Sequence, residues 1–230
     1  MNADTLLTAA LAPLLAAQAV HVRRKALVLP EPPGARQGRA GEGPALRLLI
    51  LGDSSAAGVG ASHQSLALSG QLAAALAPRV TLDWQLEAET GATSASALEH
   101  LQAMPAQPFD AALVVLGVND VTRMVPPARF IARRRAIHEI LRAKFCTGNI
   151  LASGLPPMGH FPLLPQPLRR TLGRAAARLD GALAACCAAD GASHIPLDLP
   201  FQPHYVAADG FHPSEPAYAR WATMIAAHLP

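Results

Sequence analysis

Charge is scarce in this sequence: Asp, Glu, Lys and Arg make up 15% of 230 residues, below the roughly one quarter usual for globular chains. That argues against a long disordered or solvating chain, which stays open through charge and polarity. Aromatic residues are scarcer still, at 4%, leaving few rings on which single-stranded bases could stack. Lysine is nearly absent, with only Lys25 and Lys144. The basic excess, 19 against 16, is a net +3 carried by arginines spread along the chain. It is too small and too dispersed to indicate a nucleic-acid partner. Cysteine is limited to Cys146, Cys186 and Cys187. An odd number without Cys-x-x-Cys or Cys/His spacing implies neither a disulfide framework nor a zinc site, so small buried apolar residues are expected. Glycine and proline, 17 and 21, stay below the low-complexity level.

What is present is apolar, at 51%, and the length suits one domain with a sizeable core. The first apolar stretch, residues 5–20, is short for a membrane span and is interrupted by Pro13. Only Asp4 is charged before it, whereas Arg23, Arg24 and Lys25 follow it. A secretory signal has the opposite polarity, although Ala17-Gln18-Ala19 has the small-residue form of a cleavage site. Leu6, Leu7, Leu11, Leu14 and Leu15 recur at helical spacing, so a packing helix is expected, with an interfacial membrane anchor as the alternative. A cytoplasmic location is expected with it, the alternative being periplasmic or secreted. Residues 30–44 hold Pro, Gly and Arg without periodicity and read as a linking loop. The expected division is therefore 1–45 for helix and loop and 46–230 for the main domain.

From residue 46 onward, short apolar runs alternate with helical periodicity. Strands are expected at 46–51, 80–86, 111–116, 149–153 and 194–197, and helices at 66–76, 94–104, 128–145, 168–189 and 214–228. The long fourth helix carries Arg133, Arg134 and Arg135, read as a solvated face. Alternating strands and helices predict an α/β fold with a five-stranded parallel sheet covered on both faces. In such sheets, functional residues gather beyond the carboxyl ends of the strands. Polar or glycine clusters stand at those ends: Gly52-Asp53-Ser54, Glu89-Thr90-Gly91-Ala92, Gly117-Val118-Asn119-Asp120 and, before the last helix, Asp209-Gly210-Phe211-His212-Pro213.

These residues suit acyl transfer. A serine hydroxyl needs a base to take its proton, and histidine is the usual one. A carboxylate then fixes the imidazole tautomer and stabilises the imidazolium. Asp209 lies three residues before His212, so one short segment can carry both. The backbone N–H groups of Ser54 and Gly91 and the side-chain amide of Asn119 are candidate donors to a developing oxyanion. Asp53 is expected to cap the helix after the first strand, and Asp120 to cap a helix near its own turn.

Those four clusters, in that order, resemble blocks I, II, III and V of the SGNH (GDSL) hydrolases, and in particular small bacterial esterases and lipases. Ser55 departs from the Leu that gives the family its name. The resemblance implies a flavodoxin-like three-layer α/β/α sandwich and catalysis without cofactor or metal. It implies Ser54, Asp209 and His212 as the triad, and Ser54, Gly91 and Asn119 as the oxyanion hole. The expected function is hydrolysis of carboxylic esters of short to medium acyl chains. Thioesterase, lysophospholipase and sugar acetylesterase activities are the family alternatives, and no feature indicates an oligomeric state. The Pro-rich stretch 154–167 follows a strand at the same edge, and its Met158, Phe161 and Leu163 either line an acyl pocket or pack onto the core.

Rival classes fit less well. Gly58-Val59-Gly60 has His63 where a dinucleotide loop needs its third glycine. No glycine-rich loop closes on the Lys of a phosphate loop. A two-metal phosphoesterase needs more ligands than Asp53, Asn119, Asp120, Asp209 and His212 supply. A non-catalytic binding domain would have no need of the intact Ser, Asn, Asp and His set.

Overall fold

The computed structural model describes residues 11–200 and 202–230. Leu6 and Leu7 of the expected N-terminal helix lie outside the described residues. The first element, α1 (Ala12–Lys25), buries none of its residues. It rests on the molecule through Leu15 and Val22, and through Gln18, which donates to the Gln166 carbonyl at 2.7 Å and accepts from the Leu168 amide at 3.1 Å. Among the described residues no helix is long and apolar enough to cross a membrane.

The sheet has six strands: β1 (Gln37–Ala40), β2 (Ala45–Gly52), β3 (Thr81–Ala88), β4 (Ala111–Val115), β5 (Asn149–Ser153) and β6 (Ser193–Ile195). Their order is β1-β3-β2-β4-β5-β6. The five expected strands are all parallel. Counting those five alone, the order is 2-1-3-4-5, the flavodoxin-like winding.

The sixth strand corrects the reading of residues 30–44 as a linking loop. β1 pairs antiparallel with β3 along the sheet edge, so the expected division at residue 45 runs through the sheet. β1 alternates exposed Gln37 and Arg39 with half-buried Gly38 and Ala40, but its inward residues are too small and the strand too short to give an apolar signal. Gly38 passes close under the Trp84 indole, where a Cβ would stand 2.5 Å from a ring carbon.

β2 shows why both faces are apolar. Leu49 and Leu51 point into one core layer, and Leu46, Leu48 and Ile50 into the other, the two-residue period of a pleated strand. The first layer is roofed by α4 (Ser94–Ala103), α6 (Pro127–Phe145) and α7 (Leu168–Asp190), and the second by α3 (Leu68–Leu76) and α8 (Glu215–Ala226). Two short helices, α2 (Ser54–Ala57) and α5 (Val118–Thr122), follow β2 and β4.

Two further expectations change. Arg133 and Arg135 stay at least partly exposed, but Arg134 is fully buried beneath α6. Burial pulls its guanidinium down to about 10, an effect that Cys187, Asp120, Cys186 and Asp190 partly oppose. Arg134 falls on the apolar stripe with Phe130, Ile137 and Leu141, and charge alone disguised that position. Cys186 and Cys187 are buried as expected, but Cys146 is exposed in the left-handed turn that ends α6.

Candidate active site

β2 ends at Gly52, and the chain turns at once into α2. A side chain at Gly52 would stand 2.3 Å from Ala56 Cβ and 2.8 Å from the Val115 carbonyl, so the turn closes only around glycine. Asp53 caps α2 by accepting the Ser55 amide at 3.0 Å, the expected capping role. Ser54 is the first residue of α2, where backbone N–H groups have no acceptor within the helix.

The segment before α8 folds back onto this turn. Val206 bridges Pro213, the Ala207 amide donates to the His212 carbonyl, and Gly210 takes φ +71° to close the hairpin-like turn. Asp209 Oδ1 accepts the amides of Phe211 and His212, each at 3.0 Å. Asp209 Oδ2 meets His212 Nδ1 at 2.5 Å, and His212 Nε2 meets Ser54 Oγ at 2.8 Å. An ionised carboxylate only accepts, so Nδ1 carries the ring proton and Nε2 accepts the serine O–H. Tyr218 of α8 donates to the Val59 carbonyl at 2.7 Å, and Glu215 accepts from Ser62, which locks α8 to the chain just beyond Ser54.

The acids of the site differ in kind. Burial alone would raise Asp209, but hydrogen bonds from the His212 ring and from the amides of His212 and Phe211 outweigh it and hold the carboxyl below its ordinary value. Asp53 is raised to about 6 by burial, against the pull of the Ser55 amide and the charge of His212.

Gly91 lies in a turn with φ +87° and nothing within 4 Å of where a Cβ would be. Its loop is held from several sides. The Glu89 amide donates to the Gly52 carbonyl, Asn119 Nδ2 donates to the Ala92 carbonyl at 2.9 Å, and Arg123 reaches the Gly91 carbonyl. Asn119 has a second amide hydrogen beyond the one given to Ala92. Asp120 is buried and accepts both the amide and the hydroxyl of Ser94. It therefore anchors the start of α4, across the site from the turn it was expected to cap. The sequence reading missed Glu31, which accepts the Thr90 amide at 2.9 Å and the Thr90 hydroxyl at 2.7 Å, and pairs with Arg36 at 2.9 Å. Its only signal was an acid within a segment that showed no pattern.

The three loop candidates separate. Met158 is fully buried in the core layer, the second of the two places open to it from sequence, and does not reach a substrate wall. Phe161 stands edge-on to Phe211 with ring centroids 5.0 Å apart, and Leu163 lies beside Gly210. Gly58-Val59-Gly60 is filled by protein: a Cβ at Gly60 would stand 2.2 Å from the Pro213 carbonyl, leaving no place for a phosphate. His138, Cys186 and Asp190 bring ligating atoms within 4.8 Å of one another. Asp190 is already committed to His138 and Arg142, and buried Arg134 adds a charge hostile to a cation.

The family described as "GDSL-like Lipase/Acylhydrolase family" matches residues 50–220. The chain belongs to this GDSL-like family. All four clusters of this GDSL-like chain fall within the matched span. Among curated proteins it is 31% identical over 194 residues to a GDSL-like esterase of Mycobacterium tuberculosis, covering 78% of this chain. The chain spans 60% of that relative's length. Among solved structures it is similar to TesA, with TM-score 0.64, 22% identity, and coverage of 80% of this chain and 97% of that one. It is also similar to phospholipase A1 from Streptomyces albidoflavus NA297, with TM-score 0.60, 19% identity, and coverage of 80% and 99%. At those identities the two structures speak for the fold.

Proposed function

We propose that this GDSL-like chain is a serine esterase acting on carboxylic esters of short to medium acyl chains. The observation that carries the reading is the unbroken hydrogen-bond chain from Ser54 through His212 to Asp209, at the switch point of a flavodoxin-like sheet. Ser54 Oγ attacks the acyl carbonyl while His212 Nε2 takes its proton. The oxyanion is met by the backbone N–H groups of Ser54 and Gly91 and by the free hydrogen of the Asn119 amide. The carbon–oxygen bond to the alcohol then breaks, its electron pair stays on the alcohol oxygen, and Nε2–H gives up its proton there. Water repeats the sequence on the acyl-enzyme. Asp209, kept ionised by the bonds that lower its pKa, holds the ring in the working tautomer throughout. The GDSL-like esterase from Mycobacterium tuberculosis supports the same reaction class.

The test is hydrolysis of p-nitrophenyl acetate by Ser54→Ala, combined with fluorophosphonate labelling of the native chain. The expected result is labelling at Ser54 and a loss of about 10⁴-fold or more in kcat. Undiminished turnover by the variant overturns the assignment. A p-nitrophenyl ester series of rising acyl length then measures the chain preference.

A further inference from the structure

The loops after β5 and β6 and the segment 203–213 line a half-open cavity of about 60 Å³ that has His212 in its wall. Pro156, Phe161, Leu197, Leu199, Tyr205 and Phe211 form most of its wall. Among the described residues of the lining, His212 and Tyr205 alone have polar side-chain atoms. The Phe211 ring lies edge-on to His212 at 5.4 Å and to Phe161 at 5.0 Å, so the rings of this wall and the catalytic imidazole form one packed row.

Resting on the esterase reading, we propose that this cavity is the alcohol subsite and takes a small apolar alkyl substituent on the leaving oxygen. The direction of proton transfer decides which half of the ester meets it. When the tetrahedral adduct collapses, the leaving oxygen receives the proton of Nε2–H, so it sits within hydrogen-bond reach of that nitrogen, about 2.6–3.2 Å. Its substituent therefore continues along the imidazole, where the cavity begins. The acyl half is excluded by the second half of the reaction. The deacylating water occupies the place the alcohol oxygen vacated, between Nε2 and the acyl carbon. An acyl chain filling the cavity would close that approach, whereas a departed alcohol leaves it open. The lining also selects. Glycerol, sugar and phosphorylated alcohols would bury hydroxyls or charges where the wall offers almost no partners, and unpaired buried polar groups bind poorly. A site of this kind rejects on polarity and discriminates among hydrocarbons by fit.

The experiment holds the acyl group constant and varies the alcohol. Propyl acetate and glycerol monoacetate are compared on the full chain, on Leu199→Ala and on Phe161→Ala. The expected kcat/KM is about ten-fold or more higher for propyl acetate. Both variants are expected to lower it for propyl acetate and to leave glycerol monoacetate nearly unchanged. Leu199 is only partly buried in a loop, so its variant keeps the test readable where Phe161→Ala unfolds the wall. With p-nitrophenyl acetate, the deacylation rate should be the same in the native chain and in Leu199→Ala, because the alcohol has left by then. Equal kcat/KM for the two esters overturns the proposal, and so does a variant that shifts acyl-length preference instead. Failure of the esterase reading itself shows separately, as acetate release that survives Ser54→Ala.

Discussion

Asp53 sits next to Ser54 and serves the turn by capping α2. Its carboxyl is raised to about 6 by burial, so the folded chain holds its proton over a range in which the unfolded chain has lost it. Stability from this residue is therefore highest in acid and falls as pH rises from the unfolded value through about 6, with a total near 3 kcal/mol at most. Asp53→Asn keeps a capping oxygen and removes that dependence. Urea unfolding midpoints should show the variant gaining on the native chain between about pH 4 and pH 7, with no further gain above. Asn119 presents a different case. With one amide hydrogen spent on Ala92, the other is the group that the proposed oxyanion hole uses. Asn119→Ala should lower kcat by about a hundred- to a thousand-fold with little change in KM, read by steady-state kinetics on p-nitrophenyl acetate.

At the scale of elements, the parts legible in sequence were those with local causes. Strand β5 falls at 149–153 as periodicity placed it, and the starts of α4 and α7 match their expected positions. The Asp209–His212 spacing was readable because both side chains belong to one turn, whereas Gly91 was readable only through its place in the order of the four clusters. β1 and Arg134 were not readable, and for opposite reasons. β1 exists only through its pairing with β3, a partner more than forty residues away. Arg134 carries a charge that argues for the surface, while the 3.6-residue stripe of α6 carries it inward. Glu31 belongs with β1, since its role lies in the distant Thr90 and the nearby Arg36 that it reaches. Replacing it by Gln weakens the acceptor that steadies the loop of Gly91. Glu31→Gln should cost about ten-fold or more in kcat while the thermal midpoint moves little, which enzyme kinetics and a melting curve together decide.

For the whole molecule, the contrast lies between α1 and β1. α1 buries no residue, whereas β1 closes the sheet edge and precedes the strand from which Ser54 hangs. Removing residues 1–28 should leave activity intact and shift the melting temperature by only a few degrees, about 2–4 °C for each kcal/mol lost. Removing residues 1–40 takes Glu31, Arg36 and β1 together. That chain should lose turnover and expose the β3 edge to self-association, visible by size-exclusion chromatography.

The distances along the chain between the reacting groups have one more consequence. His212 is three residues from Asp209 but 158 from Ser54. Asp209 and His212 therefore travel as a preassembled cartridge on one turn, and only their docking against α2 is long-range. A fluctuation that lifts residues 203–213 would carry both side chains away from Ser54 together. Amide hydrogen exchange across that segment measures how often this happens while the rest of the sheet stays folded.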